Sequence, residues 1–498
     1  MCDGGGPAYT AMEMRAGCHV PGATYTILMN SRAARPTEPA LLRQMVGSPT
    51  VRGILTNAVN AARQIAAVDG GAPAPERPGT HMDTPGADSA EFSGSGDNMV
   101  GEEQVSSAQR GHMTHAWLFT GPPGAGRSVA AKAFAASLMC KDAVPGCGQC
   151  EACRTALAGT HADTVAIVPE GVVIPVKHVR DMIEAASRMP TTAHWRVVIV
   201  EDADRLNDAG ANALLKSIEE PPPRTVFILC APSTDPDDVH VTIRSRCRHV
   251  YIPTPSVDDV TRILAEDPTM ELTEKQIDWA ASVSGGHVGR ARRLAVDDNA
   301  RNQRKRALRV PEMIYRDGDA YLYTGDLVAA AKSEADAATG ERDDAELAKL
   351  REALGVGAKG RGAAKAQRGS AGAIKELETR QKNRRTRMVI DMLDLLLMDI
   401  AGLYRDALMI SVGAAGAGAS VGSDVGDGKG SAGVPIIHPD HANTATELAR
   451  RNTPEQLLQC VDAVRMGREL LTAGVRQESA LDAMVGRLRQ ICVTGPVR

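Results

Sequence analysis

The stretch AWLFTGPPGAGRS at 116–128 decides how the rest of the chain is read. AWLFT is a strand-length apolar run, and GPPGAGRS passes straight into the helical pattern VAAKAFAASLM. Strand, glycine-rich loop and helix in that order form the context of the phosphate loop G-x-x-x-x-G-K-[ST]. Gly121, Gly124 and Gly126 let backbone N–H groups turn inward on phosphates, and the helix N-terminus adds positive potential. Ser128 is placed to give Mg²⁺ a hydroxyl ligand. The plainer alternative is an ordinary Gly-Pro turn. Arg127 stands where the motif has lysine. A guanidinium keeps the charge but is planar and bulkier than the ammonium that the niche fits. The expectation is therefore ATP binding through backbone donors with poor geometry for cleavage.

Working outward, TVAIV (164–168), RVVIV (196–200) and TVFILCA (225–231) are further strand-length runs separated by helical patterns, which predicts a parallel sheet in an α/β domain. RVVIV leads into Glu201-Asp202-Ala203-Asp204. Nucleotide hydrolases of this class place Asp before Glu, the first holding Mg²⁺ and the second orienting the attacking water. Here the order is reversed, and Asp202 has about 1.5 Å less reach than a glutamate. Such a misplacement is costly in rate. The competing reading is a solvated acidic turn.

Cys140, Cys147, Cys150 and Cys153 have the spacing C-x6-C-x2-C-x2-C. Four thiolates complete a tetrahedral Zn²⁺ and leave no open position, so the expectation is a structural zinc site.

The 498 residues have room for about three domains. Aromatic residues are only 3%, so the cores rest on Ala, Leu, Val, Ile and Met. A net charge of −4 excludes a uniformly basic nucleic-acid coat. The first thirty residues show no basic stretch followed by an apolar run, and the most apolar segment, 388–410, carries Asp391, Asp394, Asp399, Arg405 and Asp406. We expect no membrane association and a cytoplasmic location.

Residues 1–40 read as a poorly ordered extension, 41–68 as helical, and 69–111 as a flexible insertion inside a nucleotide-binding domain at 41–253. Ser256-x-x-Asp259 and Thr273-x-x-Gln276 are capping boxes, which predict a small helical domain at 254–310. A helical domain at 311–498 follows, with disordered insertions expected near 336–386 and 411–434 and a last helix capped at Thr453. Between 359 and 387 there are ten Lys/Arg and two Glu, read as a solvated linker because no aromatics are interleaved.

ANALLKSIEEPPPRTVFIL (211–229) and TIRSRC (242–247) resemble the clamp-loader ATPases of bacterial DNA polymerase III, members of the AAA+ superfamily. The likeness is dense over about 112–300 and weaker at 41–68, where Val46-Gly47 matches the family's opening Val-Gly. It implies an α/β P-loop AAA+ domain with a parallel sheet and flanking helices, a small helical lid and a helical C-terminal collar. Arg127 and the Glu201-Asp202 order resemble the delta-prime branch more than the gamma/tau motor branch. The resemblance implies that Ser245-Arg246-Cys247 delivers Arg246 as an arginine finger to a neighbour's ATP site, where a guanidinium neutralises charge on the transferred phosphoryl group. The alternative is that Arg246 pairs with a local carboxylate. Ser233 or Thr234 falls beside the γ-phosphate. In GGHVGRARR (285–293) the phosphate-sensing position falls on Gly289, and Arg290 is not expected to touch nucleotide.

The implied partners are motor subunits (gamma/tau) and a delta subunit in a hetero-pentamer, with the sliding clamp and primed DNA reached through the assembly. The subunit's own ATPase is expected to be weak or absent. Two rivals stand beside this reading: an active gamma/tau-type ATPase, and a zinc-dependent nucleic-acid-binding protein using 359–387.

Overall fold

The structure is a computed structural model and describes residues 38–43, 49–69, 112–267, 269–316, 318–355, 363–415 and 434–494. The expectations for 1–37, Val46-Gly47, 70–111 and 416–433 lie outside these residues.

Five parallel strands, β1 (Ala116–Thr120), β2 (Thr164–Ile167), β3 (Arg196–Val200), β4 (Thr225–Ala231) and β5 (Arg248–Tyr251), form one sheet in the order β2-β3-β4-β1-β5. β1, β3 and β4 are buried along their whole length, which is why they read as unbroken apolar runs. Side chains alternate between two cores. Trp117, Phe119, Val197 and Ile199 face a cluster shared with α1 (Pro49–Asp69) and α2 (Arg127–Met139). Leu118, Val198 and Val200 face another cluster built with α3 (Val176–Ala186) and α4 (Asp208–Glu219). In an aromatic-poor chain, Trp117 sits edge-on to both Phe119 and Phe134 and anchors the first face. The sequence reading does not include β5, because only Val250 of its four residues is buried and no apolar run exists to see.

A small helical cluster follows: α5 (Val257–Ala265), α6 (Glu274–Val283) and α7 (Val288–Val296), with Val260, Leu264, Ile277 and Leu294 at its centre. Both expected capping boxes close, Ser256 with Asp259 and Thr273 with Gln276. Helix α8 (Asp298–Met313) carries the chain from this cluster into a second all-helical core. That core contains α9 (Asp319–Ala353), α10 (Ala363–Ser411), α11 (Ala442–Arg451), α12 (Pro454–Thr472) and α13 (Gln477–Arg489). The capping box at Thr453 is formed. No described helix is long and apolar enough to cross a membrane.

The disorder expected near 336–386 is corrected by the structure over the described residues, 336–355 and 363–386. α9 runs on to Ala353 and α10 begins at Ala363. The segment is poor in apolar residues but rich in Ala, Glu, Lys and Arg, which are strong helix formers. Its two helices are joined by charge: Arg384 contacts Asp343 and lies 2.8 Å from Glu346, and Arg385 lies 3.1 Å from Asp336. Gln381 Nε2 also donates to the Asp343 carbonyl at 2.8 Å. The basic stretch 359–387 is thus no open cationic stripe along this part, since Arg380, Arg384, Arg385 and Arg387 all pair with carboxylates.

Candidate nucleotide pocket and cysteine module

β1 delivers the loop at Gly121, and α2 starts at Arg127 behind Gly126, which has a left-handed φ of 91° and no side chain to cap the helix. The first N–H groups of a helix with no such cap point at whatever lies before it and favour an anion. A cavity of about 480 Å³ opens there, walled by the loop residues Gly124–Ser128 on one side and by Pro255, Ile263, His287 and Arg292 on the other. Gly124 has φ 84°, and a Cβ on it would collide with the His287 ring, so loop and lid close together at this point. Burial and the nearby Arg290 hold the His287 imidazole below its usual value, which keeps it neutral. Ser128 is half-buried along this wall.

The acidic pair after β3 is already neutralised from within the chain. Glu201 Oε1 lies 2.9 Å from Lys132 Nζ of α2. Asp202, held at a left-handed φ of 50°, faces three guanidinium groups: Arg387 at 2.6 Å, Arg205 at 3.8 Å and Arg127 at 4.0 Å. Arg387 comes from α10, 185 positions away, and also donates to the Pro169 carbonyl. Arg205 continues to Asp391 of α10 at 3.6 Å. Burial, with Asp202 nearby, pushes the Asp204 carboxyl up to about 6. A carboxylate with three cations around it presents a repulsive field to a divalent ion, and Mg²⁺ tolerates little departure from octahedral oxygen geometry.

The remaining expected residues are not gathered in this cavity. Ser233 Oγ donates to Asp238 at 2.6 Å and accepts from the Asp235 N–H at 2.9 Å, while the Thr234 carbonyl accepts from Arg244 at 2.8 Å. Both belong to the turn after β4, and neither lines the cavity. Arg246 is 41% exposed, with its Nε 2.7 Å from Glu219 at the end of α4. The local-carboxylate alternative is thus what the single chain displays. A half-exposed pair of this kind contributes little, so it leaves the guanidinium exchangeable. Arg290 turns away from the cavity, is buried, and pairs with the fully buried Asp399 of α10. Arg304 and His438 close round the same carboxylate at 3.7 and 3.8 Å. The lid arginine next to the expected sensing position therefore ties the lid to the C-terminal helices.

His287, Arg205, Arg292 and Arg387 were not predicted for this site. His287 and Arg292 lie within the GGHVGRARR segment, which carried the only usable signal; Arg387 lay in the stretch read as linker.

The four expected cysteines come together. Cys140 Sγ is 3.8 Å from Cys147 and 3.9 Å from Cys150, Cys147 is 4.0 Å from Cys153, and all four sulfurs lie within 4.8 Å of one another. A tetrahedral ion with metal–sulfur bonds of about 2.3 Å needs sulfurs about 3.8 Å apart, so the four could hold a metal ion such as zinc. The N–H groups of Cys150 and Cys153 point at the sulfurs of Cys147 and Cys150 at 3.3 and 3.4 Å, as donors to thiolates should. Burial raises the Cys150 and Cys153 thiols, a tendency that a bound cation reverses. The module packs beside the short turn Ala40–Arg43, whose Leu41 N–H donates to the Gly146 carbonyl at 2.9 Å.

Residues 97–256 match the family model described as "DNA polymerase III, delta subunit". The chain is 36% identical over 193 residues to a DNA polymerase III subunit delta' of Pseudomonas aeruginosa, covering 37% of this chain and 57% of that protein. It is 35% identical over 202 residues to the subunit delta' of Escherichia coli, covering 40% and 59%. It is also 36% identical over 160 residues to a subunit gamma/tau of Mycobacterium tuberculosis, covering 30% and 27%. The chain thus spans under three-fifths of the length of the two delta' relatives, with shares of 57% and 59%.

Proposed function

We propose, from the match of residues 97–256 and the likeness to the two delta' relatives, that the chain is a delta-prime clamp-loader subunit with a retired nucleotide site that lends Arg246 to a neighbour. The observation that carries this reading is the Asp202 carboxylate. Arg387, Arg205 and Arg127 occupy its surroundings, so the carboxylate at the water-orienting position is engaged by protein cations. Lys132 draws Glu201 aside in the same way. The pocket keeps the uncapped start of α2 and the loop glycines, which suffice to bind phosphate, but its acidic pair is held by Lys132 and the arginines and is not free to place a metal and a water.

Among the described residues, Arg246 sits at the surface with Glu219 and the local oxygens of Thr242 and Ser245 as partners. On assembly it exchanges that carboxylate for the phosphoryl oxygens of an adjacent motor subunit's ATP, where a trans arginine has its largest effect. The buried contacts of Arg290 and Arg304 with Asp399 fix the lid against the C-terminal helices and suit a subunit that serves as a rigid member of a ring. Zinc held by Cys140, Cys147, Cys150 and Cys153 supplies structure alone, because four thiolates leave it no open position. The partners are gamma/tau motor subunits and a delta subunit in a hetero-pentamer that loads the sliding clamp on primed DNA, in the cytoplasm.

The test is ATP turnover with Mg²⁺ by the purified chain, measured beside its assembly with motor and delta subunits. The expected result is background turnover alone and incorporation into a stoichiometric complex. Brisk turnover by the chain alone favours the motor reading and overturns this one.

A further inference from the structure

Outside the nucleotide pocket and the four-cysteine module, two more thiols face each other in the C-terminal helical core. Cys460 on α12 is fully buried, and Cys492 is half-buried in the π-helical turn Gln490–Thr494. Their sulfurs are 3.4 Å apart, and both are free thiols. The alignment is built into both elements. Gln456, one turn before Cys460 on the same face of α12, donates to the Ile491 carbonyl at 3.0 Å. Positions 456 and 460 therefore meet consecutive residues 491 and 492. Arg489 holds the base of the turn by donating to the Ile314 and Arg316 carbonyls at 3.2 and 2.6 Å. A single π turn is a local widening that re-aims side chains, and here it delivers Cys492 to α12.

We propose that Cys460 and Cys492 form a redox site: a dithiol that closes into a disulfide across α12 and the C-terminal turn, with a small disulfide of the glutathione type as oxidant. The approach needed is about 1.4 Å, from the present separation to a bond of about 2.05 Å, which side-chain rotation shared between both residues can supply. Cys492 is the attacking sulfur because it is the one with solvent access. Hydrogen bonds with Cys460 and Tyr315 together hold the Cys492 thiol below its usual value, while the bond with Cys492 and burial push Cys460 up. The Cys492 thiolate attacks one sulfur of the oxidant, breaking its S–S bond and releasing one small thiolate. Cys460 gives its proton to that leaving thiolate and attacks the Cys492 sulfur, releasing the second small thiolate, which takes up from solvent the proton that Cys492 lost on ionising. Two protein thiols are oxidised and one small disulfide is reduced to two thiols. Excess reduced thiol runs the exchange backwards, so the bond forms and opens with the redox state of the surroundings.

The experiment holds the zinc-loaded, full-length protein in glutathione buffers of graded redox ratio, traps free thiols by alkylation, and maps peptides without reduction. The expected result is a linked pair of peptides carrying Cys460 and Cys492 at the oxidised end, lost again when reduced glutathione is restored. In Cys460→Ser the link disappears and Cys492 carries one glutathione instead. In Cys492→Ser, which changes only the half-buried partner, Cys460 stays a free thiol. A wild-type protein in which Cys492 remains free, or carries glutathione with no linked peptide at any ratio, overturns the proposal.

Discussion

Two places in this chain gather negative groups that call for a cation, and they are answered in opposite ways. At the end of β3 the Asp202 carboxylate meets three guanidinium groups of the same chain, one of them from a helix 185 positions away. At 140–153 four sulfurs lie within 4.8 Å of one another, each offering one ligand atom. The first site has a pair of carboxylates after a strand, both engaged by cations of the same chain. The second has no catalytic outline and the geometry of a closed metal site. Acidic residues after a strand are therefore poor evidence for a bound ion until their neighbours are known, whereas four cysteines at metal spacing carry the inference by themselves.

The largest effect should come from removing the metal. Chelation at neutral pH, or Cys153→Ser, should cost roughly 5 kcal/mol of stability and release zinc in proportion to unfolding, below the 10–16 kcal/mol found when zinc folds an isolated peptide. Metal analysis beside a thermal melt reads both, and full stability without metal would break the contrast.

Substituting Asp202 should act less strongly and in the opposite sense to a metal site. Asp202→Asn keeps the shape but leaves Arg387 without its charge partner, at a cost of about 1–3 kcal/mol. Mg²⁺ should not alter the melting temperature of the wild type or the variant. A Mg²⁺-dependent stabilisation that vanishes in Asp202→Asn would show that the carboxylate holds metal after all.

The smallest effect concerns the charged pairing of α9 and α10. Arg384 is the main cause holding the Glu346 carboxyl down at about 2. Its folded value is below its unfolded one, so its contribution is complete above about pH 4.3 and fades as pH falls toward 2. Because the group is partly exposed, the loss is modest. Glu346→Gln should flatten that part of the acid stability profile by well under about 1 kcal/mol.

The parts legible in the sequence were those encoded locally. β1, β3 and β4 are buried on both faces and read as apolar runs; the capping boxes at Ser256, Thr273 and Thr453 sit within four residues; the cysteines fall within one short segment. What escaped was encoded at a distance. The partner of Asp202 lies on α10, and so does that of Arg290, because the α/β domain and its lid both rest on that helix. Helices α9 and α10 escaped for a different reason. They are joined by ion pairs over 336–386 where an apolar stripe is normally the signal, and a charged helix has the composition of a linker. The fate of Arg246 was legible only as a choice. The sequence allowed a local carboxylate or a distant phosphate, and the single chain shows Glu219 in the first role.

That choice is settled by one measurement, the steady-state ATP turnover of the assembled complex containing Arg246→Ala beside the wild type. If the arginine serves a neighbour, the adjacent site should lose about 10³-fold in its cleavage rate while the complex still assembles and the chain's own melt hardly moves. Turnover equal to the wild type in an intact complex would contradict the account and leave Arg246 as a surface partner of Glu219.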